Sequence, residues 1–319
     1  MKKEIINKNV RLVLPEGEDE RVLLAARKLA DDNLVKPILV GKHAEILKTA
    51  EVLKINIADL ELVDPISDSR YNNFVDEFVT IRNGKHTKEQ ALELMKDPTY
   101  YGTMMVKQGE ADALLSGAIH STADTIRPAL QIVKTKPGTK IVSSMFYMYN
   151  EENSYIFGDC ALNINPTSEQ LVDIAEGCNQ IAPLFSINNP KTAFLSFSTK
   201  GSAASEEVTK VSDAAKLFAE KFPNTASDGE LQLDAAIVPS VGSQKAPGSK
   251  VAGSANILIF PDLNSGNIGY KLAQRLGKYE AIGPILLGLN APINDLSRGC
   301  DSNDVYETAI ITAYQSLLK

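Results

Sequence analysis

Arg11-Leu12-Val13-Leu14-Pro15-Glu16-Gly17-Glu18-Asp19-Glu20 is a short apolar run stopped by a proline and followed by a cluster of acids. The run has the length and character of a buried strand. Beyond it Val22, Leu23, Ala26 and Leu29 recur at helical spacing, and the acids ahead of them suit the positive end of a helix dipole. Pro37-Ile38-Leu39-Val40-Gly41 reads as a second strand, residues 44–53 as a second helix and residues 60–63 as a third strand. Strand, helix, strand, helix predicts a parallel sheet with crossover helices.

Working outward, residues 69–108 read as helical, with breaks at Asn83-Gly84 and Asp97-Pro98. Asp112-Ala113-Leu114-Leu115-Ser116-Gly117 returns to strand and leads into Ala118-Ile119-His120-Ser121-Thr122-Ala123-Asp124-Thr125-Ile126-Arg127-Pro128, a hydroxyl-rich loop that opens a helix. In open parallel sheets ligands collect at loops leaving the carboxyl ends of strands. Free backbone donors, hydroxyls and an arginine at such a place suit phosphate.

Composition changes near residue 140. Residues 140–149 and 154–158 read as paired strands around the turn Asn150-Glu151-Glu152-Asn153, the first antiparallel signal. Strand and helix then alternate to the end, with strands expected at 192–197, 234–238, 257–260 and 282–289 and a last helix at 303–317. The expectation is α/β throughout: a discontinuous first domain of 1–140 plus 300–319, and a second domain of 141–299.

The chain has 319 residues, 44% of them hydrophobic, enough for one large core or two ordinary ones. A net charge of −7 and a pI near 5.2 argue against a nucleic-acid surface. No apolar run approaches the roughly 18 residues that span a bilayer, and Met1-Lys2-Lys3-Glu4-Ile5-Ile6-Asn7-Lys8 lacks a signal-peptide core. Cys160, Cys178 and Cys300 are odd in number and far apart, so neither a disulfide framework nor a metal pair is expected, and the cytoplasm is the natural compartment. The G-x-G-x-x-G, P-loop and G-x-S-x-G patterns are all missing.

Asn294-Asp295-Leu296-Ser297-Arg298-Gly299-Cys300-Asp301-Ser302-Asn303-Asp304 concentrates chemistry in one loop before the last helix: a hydroxyl, a guanidinium beside a glycine, and a carboxylate where a helix begins. Such a loop can bind an anion and take a proton. Read locally, it is equally a surface turn whose Arg298 pairs with Asp295 or Asp301, with Asp301 capping the helix and Asp304 in its first turn. Arg127 can equally mark a helix start, and Arg82 can be a dipole partner at a helix end. Cys300 beside Arg298 suggests a nucleophile, but a lone cysteine is more often inert.

Taken together, several blocks resemble the phosphate acetyltransferase family. They are Val13–Arg21, Ile81-Arg82-Asn83-Gly84-Lys85-His86-Thr87, Ser116–Pro128, Lys245-Ala246-Pro247-Gly248-Ser249-Lys250-Val251-Ala252-Gly253, Phe260–Lys271, and Asn294-Asp295-Leu296-Ser297-Arg298-Gly299. They run in order over essentially the whole chain and look closer to the acetyl than to the butyryl branch. The resemblance implies two α/β domains with a cleft between them, an architecture like isocitrate dehydrogenase, and a homodimer. It implies reversible acetyl transfer between CoA and phosphate, with CoA and acetyl phosphate as substrates and with no tightly bound cofactor or metal. Asp304 is then the base for the CoA thiol, and Ser297 and Arg298 hold the acetyl phosphate. Arg82 and Arg127 add positive charge, Ser121 and Thr122 line the pocket, and Lys245, Asn264 and Lys271 contact substrate. A phosphate butyryltransferase and, more remotely, an oxidoreductase of the isocitrate dehydrogenase type are the alternatives.

Overall fold

A computed structural model describes residues 1–318, and in chain order the elements are α1 (Lys2–Ile5), β1 (Arg11–Leu14), α2 (Glu20–Asp31), β2 (Lys36–Val40), α3 (His43–Leu53), β3 (Glu61–Val63), α4 (Tyr71–Arg82), α5 (Lys88–Leu94), α6 (Pro98–Lys107), β4 (Ala113–Ser116) and α7 (Thr122–Pro128). There follow β5 (Ser143–Tyr149), β6 (Ser154–Gly158), α8 (Ser168–Ile181), β7 (Lys191–Leu195), α9 (Glu206–Lys221), β8 (Ala226–Leu231), α10 (Leu233–Ile237), α11 (Pro239–Lys245), β9 (Ile257–Ile259), α12 (Leu263–Arg275), β10 (Glu280–Leu287), β11 (Ile293–Asp295) and α13 (Ser302–Ser316).

The chain divides into two compact units, one made of Met1–Pro137 with the residues from Leu289 onward, the other Gly138–Gly288. The sequence placed the return to the first unit at residue 300. It comes at Leu289, because Ile293, Asn294 and Asp295 pair in parallel with Leu114, Leu115 and Ser116. A three-residue strand with two polar letters carries too little pattern to be read from sequence.

The first unit is a parallel five-stranded sheet in the order β11-β4-β1-β2-β3. Leu12, Val13 and Leu14 of β1 and all of β4 are buried, as expected of strands covered on both faces. Asp19 caps α2 by accepting from the backbone N–H of Arg21 and Val22. Leu23, Ala26 and Leu29 of α2 share one core with Val305, Tyr306, Ala309 and Ile310 of α13. From β1 the chain steps to β2 and β3, then returns to the other side of β1 for β4. The order therefore reverses between β1 and β4, so the loops leaving their carboxyl ends flank the switch point, where ligands bind in sheets of this kind.

The second unit is a mixed six-stranded sheet, β10-β5-β6-β9-β7-β8, antiparallel from β10 to β6 and parallel from β6 to β8. The hairpin expected at residues 140–158 is β5 and β6. One expectation fails: residues 234–238 are not a strand, since Leu233–Ile237 is helical and the strand beside β7 is Ala226–Leu231. Residues 234–238 form a short apolar run, and such runs do not separate helix from strand by period. The real strand, Ala-Ser-Asp-Gly-Glu-Leu, is mostly polar.

Candidate active site

Three loops of the first unit meet at the carboxyl ends of β1, β4 and β11. Glu16, just past β1, is 1% exposed. Its carboxylate accepts from the backbone N–H groups of Gly117 (3.0 Å), Ala118 (2.7 Å), Ile119 (2.9 Å) and His120 (2.9 Å), and lies 2.8 Å from His120 Nδ1. Successive backbone donors curled around one anion form an anion-binding nest. Here the anion belongs to the chain, so the loop after β4 is locked to the loop after β1.

Gly117 makes that geometry possible. Its φ is +106°, and a Cβ there would lie 2.3 Å from Asp295 Oδ1 and 2.7 Å from the backbone nitrogen of Leu296. Asp295, at the end of β11, is 1% exposed. Its Oδ2 accepts from the Thr122 hydroxyl at 2.6 Å, while its Oδ1 is buried without a hydrogen-bond partner. Burial pushes the Asp295 carboxyl up to about 6, against the lowering effect of the Thr122 and Thr125 hydroxyls.

Past Leu296 the chain surfaces. Ser297, Arg298 and Gly299 are exposed and Cys300 is buried. The Ser297 hydroxyl accepts from the Gly299 N–H at 3.3 Å, and the Arg298 guanidinium has no ion pair or hydrogen bond among the described residues. Arg298 thus pairs with neither Asp295 nor Asp301. The turn is pinned instead by Arg21, whose Nη1 donates to the carbonyls of Arg298 (2.9 Å) and Cys300 (3.0 Å). Burial pushes the Cys300 thiol up to about 11, with Arg21 opposing.

Asp301 caps α13 by accepting from the N–H groups of Asn303 and Asp304, both at 2.8 Å. Asp304 returns the bond, its Oδ2 accepting from the Asp301 N–H at 3.0 Å in a capping box. Asp304 is exposed, and its Oδ1 takes no donor among the described residues. Capping and an available carboxylate oxygen coexist in one residue.

Ser121 precedes α7 and donates to Asp124 at 2.7 Å, and Arg127 near the end of α7 is exposed, 3.7 Å from Asp124. Arg82 ends α4, where its Nε meets His86 Nδ1 at 3.2 Å. Desolvation first, and the Arg82 charge second, lower the His86 pKa, so its ring favours the neutral form. The structure thus brings Thr122 to the end of β11 through Asp295, while Arg82 Nη1 donates to the Gln131 carbonyl at 3.5 Å, just past the α7 that carries Arg127.

Lys245, Asn264 and Lys271 belong to the second unit. Lys245 Nζ bonds Gln232 and Asp234, both at 2.9 Å, and lines a groove of about 430 Å³ with Lys200, Asp228, Gly248 and Ser249. Asn264 is exposed in the first turn of α12, and Lys271, also exposed, bonds Asn267 at 2.8 Å. Their positions seven apart put both on one side of that helix.

Glu16 and Arg21 are the residues to which sequence reasoning gave no role, and Asp295 was read only as a partner for Arg298. Glu16 and Arg21 stand in the opening acidic turn, which reads as helix-dipole chemistry; their partners lie about a hundred and more positions away. No local pattern carries that. The one available hint was a run of acids directly after a short apolar strand at the ligand-collecting end of a sheet.

A parallel α/β unit with an exposed serine–arginine turn after its edge strand, in one chain with a mixed-sheet α/β unit, defines a class of two-unit α/β proteins. The chain belongs to the phosphate acetyl/butyryl transferase family: the family described as "Phosphate acetyl/butaryl transferase" matches residues 1–313. It is 52% identical to a phosphate acetyltransferase of Staphylococcus epidermidis over 98% of this chain and 97% of that one. Among solved structures, it is similar to the EutD phosphotransacetylase of Staphylococcus aureus (TM-score 0.92, 51% identity, 99% of this chain and 96% of that chain). It is also similar to a phosphotransacetylase of Streptococcus pyogenes (TM-score 0.97, 48% identity, 100% and 97%). Among the described residues no helix is long and apolar enough to cross a membrane, and no group of three or more His, Cys, Asp or Glu is placed to hold a metal ion.

Proposed function

We propose that the protein is a phosphate acetyltransferase, interconverting acetyl-CoA and phosphate with CoA and acetyl phosphate. The observation that carries this reading is the exposed Ser297–Arg298 turn, whose guanidinium is unpaired, in a chain of this family. Arg298 holds the phosphoryl oxygens of acetyl phosphate, where a charge-assisted bond strengthens as phosphate departs. Ser297 donates its hydroxyl to the same substrate. Asp304 takes the thiol proton of CoA through its open oxygen. A thiol of pKa about 8.5 is only partly ionised at neutral pH, and the thiolate is the nucleophile. The thiolate sulfur bonds to the acetyl carbon, the carbon–oxygen bond to phosphate breaks, and phosphate leaves with the electron pair. Transfer is direct. An acetyl-enzyme on Cys300 is disfavoured by a thiol that is buried and pushed up to about 11.

Arg82, Arg127, Ser121 and Thr122 are the further candidates for phosphate or CoA, and Lys245, Asn264 and Lys271 those for CoA. Acetyl is the preferred acyl group, the cytoplasm the compartment, and a homodimer the working form. The dimer reading is supported by α12 and its C-cap, where Ile268, Leu272 and Leu276 recur at helical spacing with 57%, 52% and 76% of their surface exposed. The direct test is an acyl-phosphate assay with acetyl, propionyl and butyryl phosphate. CoA-dependent thioester formation, fastest with acetyl phosphate, is expected; thioester from none of them contradicts the reading.

A further inference from the structure

Arg21 uses its whole guanidinium fork on three loops of the first unit. Nε and Nη2 donate to Asp19 at 2.9 and 2.8 Å, Nη2 also donates to the Ala118 carbonyl at 2.7 Å, and Nη1 donates to the carbonyls of Arg298 and Cys300. Ala118 cannot drift, because Glu16 holds the N–H groups on both sides of its carbonyl. The turn at 297–300 packs into the core at its two ends through Leu296 and Cys300, while Ser297, Arg298 and Gly299 between them are exposed. Its other bonds are Leu296 N–H to the Ser116 carbonyl (2.8 Å), Cys300 N–H to the Ser297 carbonyl (2.9 Å) and the Gly299 contact. The side chain of Arg298 supplies none. We infer that Arg21 is the positioning residue of the substrate-holding turn: it grips Arg298 by its carbonyl and ties it to the locked loop after β4, thereby setting where the Arg298 guanidinium stands. This rests on the acyltransfer reading for its consequence in catalysis, but not for the tie itself.

Lysine cannot replace this residue, since a compact ammonium with three rotatable donors does not reproduce a rigid five-donor fork. Misplacing a substrate-holding group by about 1 Å costs about 10²-fold in rate. Arg21→Lys is therefore expected to lower kcat/KM for acetyl phosphate by about that factor, measured per folded molecule, while KM for CoA stays near wild type. The decisive comparison is with Arg298→Ala. Because Arg21 acts through Arg298, the double variant should be no slower than Arg298→Ala alone; losses that add would mean independent roles and overturn the inference. Cys300 gives a readout independent of turnover. Cys160 and Cys178 are fully buried, so a thiol reagent that labels native protein reports on Cys300, and labelling should accelerate in Arg21→Lys. Equal labelling rates overturn the tie. Should Arg21→Lys fail to fold, Asp19→Asn loosens the same guanidinium and should give a smaller loss of the same kind; wild-type kcat/KM and labelling there overturn it equally. A wild-type protein without turnover would end the acyltransfer reading, and the labelling comparison would still decide the tie.

Discussion

Asp295 and Asp304 bracket the candidate turn, and their surroundings give them different chemistry. Asp304 is exposed, with one oxygen in a capping box and the other open. Asp304→Asn keeps an acceptor for the Asp301 N–H, so the melting temperature should hardly move. Removing a general base should lower turnover by about 10²- to 10⁴-fold. If turnover survives, Asp304 is only a capping residue. Asp295 is buried with its carboxyl raised from 3.8 to about 6. The folded state therefore holds this proton more tightly than the unfolded chain does. The stability it contributes is complete below about pH 4 and is lost as pH rises through 6. At 1.36 kcal/mol per pH unit, the stability of Asp295→Asn relative to wild type should grow by roughly 3 kcal/mol between about pH 4 and pH 7. Denaturant unfolding across that range measures it, and parallel stability curves would contradict it.

At the scale of elements, the first unit depends on a loop folded around an internal carboxylate. Glu16→Gln leaves backbone donors at Gly117–His120 facing an amide that supplies fewer acceptors and adds two donors. A loss of about 3 kcal/mol or more is expected from buried donors left unmatched, read from chemical denaturation; a change within experimental scatter would mean the loop holds itself. Gly117→Ala should be as damaging, because alanine there clashes with Asp295 and the Leu296 backbone and strains a positive φ. These same elements mark what could be read in advance. The parallel strand–helix alternation of residues 11–63, the loop after β4 and the last helix all announced themselves by period and turn chemistry. The three-residue β11 and the polar β8 did not, because their place is set by pairing with distant strands rather than by local pattern. Ser297, Arg298 and Asp304 were visible as residue types. Glu16 and Arg21, which hold their surroundings, act over long sequence separations and became visible only in three dimensions.

For the whole molecule, two α/β units built from one chain were legible from the antiparallel hairpin near residue 140, although the return strand was misplaced by the weakness of Ile293–Asp295 as a signal. Dimerisation is the molecular-scale prediction. Placing a glutamate at Leu272 in the exposed Ile268–Leu272–Leu276 stripe should convert a dimer into monomers in sedimentation experiments without unfolding the chain, since this face lies outside the core; an unchanged dimer would put the interface elsewhere. The central claim is acetyl transfer between CoA and phosphate by the turn at 297–304. It is tested most directly by following thioester absorbance when purified protein is mixed with CoA and acetyl phosphate. Thioester should form catalytically in the wild type and fall by orders of magnitude in Arg298→Ala at unchanged fold. No thioester from the wild type, or undiminished turnover in Arg298→Ala, would contradict it.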